Sequence, residues 1–341
     1  MPSNRTDALG RWVDPNRREK IGHAARKVRK VLLGNRRQSG LLFRVFVYTM
    51  LVSLGFVYLY PILHMIVTSL KTLTDLLDVS VNWVPTALSL DNFRQAIDVL
   101  HFENALWDTL IIGLLPSIGQ TISCALAGYA FARYKFPLKR LAFALVLVTF
   151  ILPPYVLMVP KYTMFSDYKL LGSLGTLLLP AVTGQGINSA IFILIFTQFF
   201  KQTPISLDEA ARVDGAGESR IFFEIAVPLS IPAVVVSFLF SFVWYWNETY
   251  FLSLYLGSSA MGKADAMATL LVQLSRFEQS YLGYMQSLSQ SWGAAHFGES
   301  VANEAIKMAA TLITILPLLI VYLVLQKQFV QSIDRTGITG E

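Results

Sequence analysis

Long apolar runs separated by short polar segments dominate this chain. Each run is close to the roughly 20 residues that a helix needs to cross the hydrocarbon core of a bilayer. Six runs can be traced, over residues 45–69, 105–131, 141–160, 177–200, 226–251 and 306–326. The pattern therefore predicts an all-α polytopic membrane protein with six transmembrane helices.

Composition supports that class and excludes others. Hydrophobic residues make up 54% of the 341 residues and charged ones only 15%, against about 25% charged in soluble domains. The single cysteine, Cys124, lies in an apolar run, so the sequence offers no disulfide framework and no cysteine metal cluster. The four histidines show no metal-ligand spacing, and no nucleophile–base motif is present. We expect no metal site, no catalytic residue and no enzymatic activity in this chain.

The distribution of Lys and Arg along the chain predicts its orientation in the membrane. With the N-terminus inside, 21 of the 28 Lys and Arg residues fall in the inner segments 1–44, 132–140, 201–225 and 327–341. Because Lys and Arg accumulate in cytoplasmic loops, both termini are predicted to be cytoplasmic. Residues 1–44 form a basic N-terminal extension, which we expect to lie against the anionic lipid bilayer rather than to bind nucleic acid. A transmembrane domain at 45–327 and a cytoplasmic tail at 328–341 follow it.

Small residues line one face of the second apolar run. Ala125, Gly128 and Ala132 are spaced so that they share a helix face. In a membrane, small residues let two helix backbones approach closely. We therefore predict a close helix–helix contact here rather than a chemical site.

The polar segment 204–228 lies between the fourth and fifth apolar runs, on the predicted inner side. Ser206 and Glu209 match the S-x-x-E capping box, which predicts a helix beginning near Leu207. Residues 214–217, DGAG, predict a turn, and a second helix is expected before the next run. The segment should form a rigid helix–turn–helix element that projects from the membrane.

The residue spacing of this segment is typical of one family. An EAA triplet is followed by glycine and later by isoleucine and proline, at Glu209, Ala210, Ala211, Gly215, Ile225 and Pro228, with Asp214 just before the glycine. The spacing resembles the EAA loop of ATP-binding-cassette (ABC) importer permeases, with Val227 where Leu is usual. The segments 83–96, 125–140 and 151–162 are similar to the carbohydrate-uptake, maltose-permease-like branch. The long basic extension and residues 257–304 depart from that pattern.

The resemblance implies a type I ABC importer permease fold in the cell membrane of a prokaryote. It also implies three partners: a second, non-identical permease, an ATP-binding-cassette ATPase dimer and an extracytoplasmic solute-binding protein. ATP and Mg²⁺ would then bind to the partner ATPase, and this chain would carry no cofactor. Its one GxxxxGK match, from Gly257 to Lys263, lacks the following Ser or Thr that a phosphate-binding loop needs.

Two further segments carry candidate roles. Trp244, Trp246, Asn247 and Glu248 close the fifth apolar run and either line a substrate path, since aromatic faces stack on sugar rings, or form an interfacial aromatic belt. Apolar positions three or four residues apart over 264–288 predict an amphipathic helix within an external segment, 257–304. That helix either rests on lipid or span ends, or helps to receive the solute-binding protein.

The resemblance implies import of sugars or oligosaccharides by alternating access, with the EAA loop coupling ATPase closure to the transmembrane helices. One alternative keeps this architecture but carries another solute, such as a polyamine or a phosphate ester. A second alternative is an ion-coupled secondary transporter that works alone. It would be favoured by internal repeats, and the sequence shows none that convinces.

Overall fold

The computed structural model describes residues 34–35, 38–257, 267–292 and 303–337. The chain divides into two units, Met1–Met65 and Ile66–Glu341. In the first unit, strands β1 (Gly34–Asn35) and β2 (Gln38–Ser39) pair antiparallel. Helix α1 (Leu41–Ser69) starts directly after them and is apolar along its 29 residues. Its last four residues belong to the second unit.

The second unit is helical. Its elements are α2 (Leu73–Leu77), α3 (Asp91–Val99), α4 (Phe102–Arg133), α5 (Lys139–Ile151), α6 (Met158–Asp167), α7 (Gly175–Val182), α8 (Ser189–Gln202), α9 (Ile205–Val213), α10 (Glu218–Ile221), α11 (Val227–Leu229), α12 (Ile231–Asn247), α13 (Tyr250–Leu256), α14 (Leu270–Ser275), α15 (Phe277–Trp292) and α16 (Asn303–Gly337). A 3₁₀ turn, Pro154–Leu157, precedes α6, and a π-helical turn, Phe222–Ala226, joins α10 to α11.

Within the described residues, three helices are long and apolar enough to cross a membrane: α1, α4 and the part of α16 over Glu304–Val324. Three bent pairs also qualify if each is one span: α5 with Pro154–Asp167, α8 with α9, and Glu218–Leu229 with α12. Their bends are 100°, 70° and 79° respectively. The structure therefore accommodates the six predicted spans only when these bent pairs are counted.

Several predicted span boundaries are wrong, and the cause is local. Span 141–160 stops being one helix at Ile151, because Pro153 and Pro154 interrupt it. Span 177–200 is two helices, α7 and α8, separated by residues 183–188. Gly184 and Asn188 have left-handed backbone there, at φ of 74° and 53°, which a continuous helix does not allow. Hydropathy records the apolar length of a run but not such breaks.

Helix α4 lies at the centre of the second unit and packs against α7, α8 and α12. The predicted small-residue contact is confirmed at Gly128. A Cβ atom added there would lie 2.5 Å from Cβ of Phe196 on α8. Ala125 is buried in the same contact, and Ala132 packs at its edge.

A buried polar network holds the break between α7 and α8 against α4 and α12. The Gln120 side-chain amide donates to the Ile187 carbonyl at 2.6 Å and to Ser189 Oγ at 2.9 Å. Its carbonyl oxygen accepts from Ser241 Oγ at 3.0 Å. The Tyr245 hydroxyl accepts from the Ile187 backbone N–H at 3.4 Å. Buried polar groups in a membrane need such partners, so the broken segment is fixed in place.

The predicted amphipathic helix is two helices, α14 and α15, which meet at Arg276; residues 264–266 lie outside the described part of the chain. Phe277 and Tyr281 pack in one cluster with apolar residues of α3 and α16. Phe277 is 1% exposed. The apolar face of this segment is therefore covered by the chain itself, at the start of α16.

Candidate functional site

The EAA segment forms a helix–turn–helix element between α8 and α12, here called the coupling loop (residues 204–228). Its first helix, α9, begins at Ile205, two residues before the predicted start. Pro204 is the N-cap residue, and no side chain caps the helix, so the predicted capping box of Ser206 and Glu209 is wrong. Proline fixes φ near the helical entry value. It therefore starts the helix early and leaves Ser206 inside the first turn.

The predicted turn after α9 is confirmed. Gly215 has a left-handed φ of 80°, and its N–H donates to the Arg212 carbonyl at 3.1 Å. The Ala216 N–H reaches back to the Ala211 carbonyl at 2.9 Å. These two bonds form a Schellman motif, whose left-handed position favours glycine. The glycine of the EAA pattern is thus required by the backbone of the turn.

The outer surface of α9 is open to a partner. Glu209 and Ala210 are exposed, Ala211 is half-buried, and Asp214 in the turn is exposed. A Cβ added to Gly215 would meet no described atom within 4 Å. The remaining motif residues lie in the second half of the loop, where Ile225 is half-buried within the π-helical turn and Pro228 is exposed at the start of α11.

Apolar side chains are exposed on the same helix. Ile205 is 55% exposed, Leu207 43% and Val213 87%. These three residues, with Glu209 and Ala210, form what we call the docking face. The described residues leave this face uncovered, although the element projects between two membrane spans.

One side of α9 is buried, and it carries a charge pair that the sequence interpretation missed. Asp208 Oδ2 lies 2.9 Å from Arg133 Nε at the end of α4, and the two side chains are 2% and 6% exposed. The N–H direction does not fit a hydrogen bond, so the attraction between the opposite charges holds the pair. A basic residue at a span end and an acid in the first turn of an inner helix were the available signals.

The second half of the loop is tied to the first half and to α4. Glu218 accepts from Arg212 Nε at 2.9 Å, which closes the turn between α9 and α10. The Tyr134 hydroxyl, just beyond α4, donates to Glu218 Oε2 at 2.7 Å. Burial, followed by the bond to Glu218, raises the pKa of Tyr134 to about 12, so this phenol keeps its proton and stays a donor.

An aromatic cluster lies beneath the loop. The Tyr129 ring on α4 makes edge contacts with Phe200 on α8 and Phe222 in the π-helical turn, with centroids 5.3 and 5.1 Å apart. The Tyr129 hydroxyl is buried without a hydrogen-bond partner among the described residues. Aromatic edge contacts of this kind add to the apolar burial, so α4, α8 and the loop share one packed base.

The four candidate substrate-path residues are not equally accessible. Trp246 is 2% exposed and packs on Phe242, with ring centroids 5.5 Å apart. Trp244 is half-buried against Phe192. Asn247 is exposed but bonds the backbone of its own helix, through a 2.9 Å bond to the Val243 carbonyl.

The fourth residue, Glu248, is half-buried where α12 ends. Its Oε1 accepts from the Phe251 N–H at 2.9 Å, and this bond caps α13. In the structure, therefore, the two tryptophans serve packing, while Asn247 and Glu248 lie at the end of the span.

The described residues hold no group of three or more His, Cys, Asp or Glu side chains that could bind a metal ion. Cys124 is a buried, free thiol in the core around α4. The GxxxxGK match lies almost wholly outside the described part of the chain, which includes only Gly257 of it.

Several named transport proteins are similar in sequence to this chain. The chain is 27% identical to the "Polygalacturonan/rhamnogalacturonan transport system permease protein YtcP" of Bacillus subtilis over 88% of this chain and 99% of that one. It is 29% identical to the "Melibiose/raffinose/stachyose import permease protein MelC" of the same organism, over 82% and 91%. It is 25% identical to the "sn-glycerol-3-phosphate transport system permease protein UgpE" of Brucella abortus, over 81% and 91%.

A solved structure shares the fold. It is described as the crystal structure of a bacterial ABC transporter involved in the import of the acidic polysaccharide alginate. The likeness has a TM-score of 0.65 at 19% identity and covers 84% of this chain and 96% of that chain. Residues 121–335, which include the whole coupling loop, match the family described as binding-protein-dependent transport system inner membrane component. The chain belongs to that family, and it is a multi-pass permease subunit of an inner membrane.

Proposed function

We propose that this chain is the permease subunit of an ATP-driven importer and that a partner ATPase binds its docking face. The observation that carries the proposal is the construction of α9. Its outer surface exposes Ile205, Leu207 and Val213, while its inner side is fixed to α4 through Asp208. A rigid element with an uncovered apolar face suits repeated contact with a second protein.

The energy for transport comes from that partner in this proposal. ATP and Mg²⁺ bind to the ATPase dimer, and this chain holds neither. Closure of the dimer displaces the coupling loop, which is continuous with α8 on one side and with α12 on the other. The loop thereby biases the membrane helices between inward-open and outward-open states, a two-state equilibrium that a bound partner can shift.

The cargo is a sugar or an oligosaccharide. The names of the two Bacillus subtilis relatives, which refer to polygalacturonan and rhamnogalacturonan and to melibiose, raffinose and stachyose, support this class. The Brucella abortus relative is named for sn-glycerol-3-phosphate, and it keeps a phosphate ester as the second candidate. Uptake of labelled oligosaccharides and of labelled glycerol phosphate, by cells with and without this chain, separates the two.

Two more partners complete the proposed assembly. One is a second, non-identical permease, and the other is an extracytoplasmic solute-binding protein, which the family description supports. Within this chain, Asn247 and Glu248 are the better candidates for the substrate path, because they lie at a span end, whereas Trp244 and Trp246 are engaged in packing.

Glu209→Arg and Gly215→Arg test the docking assignment. The first reverses the charge of the docking face, and the second adds a bulky cation to a turn where φ is 80°. A non-glycine residue in left-handed backbone costs about 1–2 kcal/mol, so Gly215→Arg also strains the turn. We expect both variants to insert in the membrane but to lose co-purification with the ATPase and uptake of solute.

Glu103→Arg is the matched control for these variants. It makes the same charge change as Glu209→Arg, at an exposed position at the other end of α4, about 45 Å from Arg133 along the helix. This control should leave ATPase association unchanged. Normal association and uptake in both Glu209→Arg and Gly215→Arg would rule out the coupling loop as the docking element.

A further inference from the structure

The coupling loop has two covalent connections to the membrane helices, and both are bent. The chain turns by 70° between α8 and α9, and by 79° between Leu229 and Ile231 at the start of α12. A bend that lacks a continuous ladder of backbone hydrogen bonds can act as a hinge. Displacement of the loop then changes the angle of the bend and moves the adjoining membrane helix only weakly. Displacement of the loop therefore needs another route into the helix bundle.

That route is the contact of the loop with α4, to which it has no covalent connection. Two polar links meet at the C-terminal end of α4: the Arg133–Asp208 ion pair at 2.9 Å and the Tyr134–Glu218 hydrogen bond at 2.7 Å. The first link ends on α9 and the second on α10, so both halves of the loop are held. We call this pair of links the α4 junction.

The α4 junction reaches the centre of the bundle. Helix α4 packs on α7, α8 and α12, and Gln120 near its middle bonds the break before α8. A displacement of the end of α4 at Arg133 therefore also displaces the helices that pack around the break between α7 and α8. Neither the docking face nor the predicted substrate path includes Arg133, whose side chain is 6% exposed.

We propose that Arg133 is a positioning residue for energy coupling, which makes α4 move with the coupling loop when the ATPase closes. The proposal rests on the proposed function, because it assumes that the loop is what the ATPase displaces. A buried ion pair suits this role. Pulling its members apart leaves two uncompensated charges away from water, so the two elements move together rather than separate.

Arg133→Gln removes the charge and keeps a polar side chain. The complete importer, reconstituted with its ATPase, second permease and binding protein, is assayed for ATP hydrolysis, for solute uptake and for ATPase retained on purification. We expect the ATPase to stay bound, since the docking face is intact, while solute imported per ATP falls. The expected fall is from about twofold to about thirtyfold, the range that coupling-network mutations produce.

Three further variants isolate the cause. Arg133→Lys keeps the charge and should restore most of the import per ATP. The double variant Arg133→Gln with Asp208→Asn leaves no uncompensated buried charge, so it should fold if Arg133→Gln does not, and it should still be uncoupled. Arg220→Gln breaks an exposed ion pair with Glu224, 2.8 Å apart in the same loop, and should couple like the wild type.

The outcomes separate this inference from the function on which it rests. Wild-type import per ATP in Arg133→Gln or in the double variant overturns the inference and leaves the docking assignment standing. Loss of bound ATPase in parallel with the loss of uptake also overturns it, because Arg133 would then only build the docking element. If instead Glu209→Arg and Gly215→Arg keep both association and uptake, the proposed function itself fails.

Discussion

Replacement of Gly128 by alanine tests the helix contact on which the position of the coupling loop depends. Gly128 lies on α4, in close contact with α8. An added Cβ would lie 2.5 Å from Cβ of Phe196 and 3.0 Å from the backbone N of Thr197. These atoms belong to the helix itself and not to the end of a flexible side chain. They cannot turn aside, so α4 and α8 must part.

Two opposing terms set the size of the effect. Alanine is favoured over glycine in a helix interior by about 1 kcal/mol. Overpacking a filled contact costs about 1–3 kcal/mol. Carbon atoms rest at about 3.5–4.0 Å, so the helices have to separate by roughly 1 Å, and the cost falls at the upper end of the range. We therefore expect Gly128→Ala to lower the free energy of unfolding by about 2 kcal/mol.

A graded series of Gly→Ala variants gives the measurement its controls. At Gly55 on α1 an added Cβ meets no described atom within 4 Å, so alanine should be neutral or stabilising. At Gly113 the nearest atom that it meets belongs to the ring of Phe242, at 2.8 Å, and a ring can shift where a backbone cannot. Thermal unfolding of the detergent-purified importer should rank Gly55→Ala highest, then Gly113→Ala, then Gly128→Ala. A Gly128→Ala protein that unfolds at or above the wild-type temperature would refute the close contact.

Two other predictions concern the segments outside the central bundle. Phe277→Ala should destabilise the chain by about 3–5 kcal/mol, because it empties a buried position. Leu282→Ala, at a side chain that is 62% exposed, should have little effect on thermal unfolding. Equal effects of the two variants would mean that the chain does not cover the apolar face of α14 and α15. At Asp75, hydrogen bonds led by that from Thr86 hold the carboxyl pKa below its usual 3.8. The folded state thus binds this proton less readily than the unfolded state, so the stabilisation is complete above about pH 4 and is lost as pH falls through the folded pKa. Asp75→Asn should lose that acid-dependent part of the unfolding curve, and an unchanged difference between melts at pH 7 and pH 3 would contradict the assignment.

Local sequence patterns anticipated the parts of the site that local chemistry determines. The left-handed turn requires glycine at position 215, and the close helix contact requires a small residue at position 128. The sequence indicates both features because a larger side chain would strain the turn or clash in the contact. The predicted start of α9 is two residues too late, because Pro204 and Ser206 are competing helix-start signals within three residues. Pro204 fixes the backbone before Ser206 can act as a cap.

The parts that were not anticipated depend on tertiary contacts. In the sequence, Arg133 is one of the positive charges of the inner segment 132–140, and Asp208 is an acidic residue near a predicted helix start. Nothing in their spacing shows that the folded chain brings them within 2.9 Å of each other and away from water. The bends at Pro153 and Ser230 were missed for a related reason, since an apolar run keeps its hydropathy whether or not the helix through it is continuous.

The coupling loop combines stiff and compliant parts in a definite order. Between its ends it is stiff, because the Schellman turn at Gly215 and the Arg212–Glu218 pair lock α9 to α10. At its ends it is compliant, because the chain bends at Pro204 and again at Ser230. A rigid body between two bends responds to a push by rotating as a unit. In this proposal rotation of the loop moves α4 through the α4 junction, where the Arg133–Asp208 pair is the buried link.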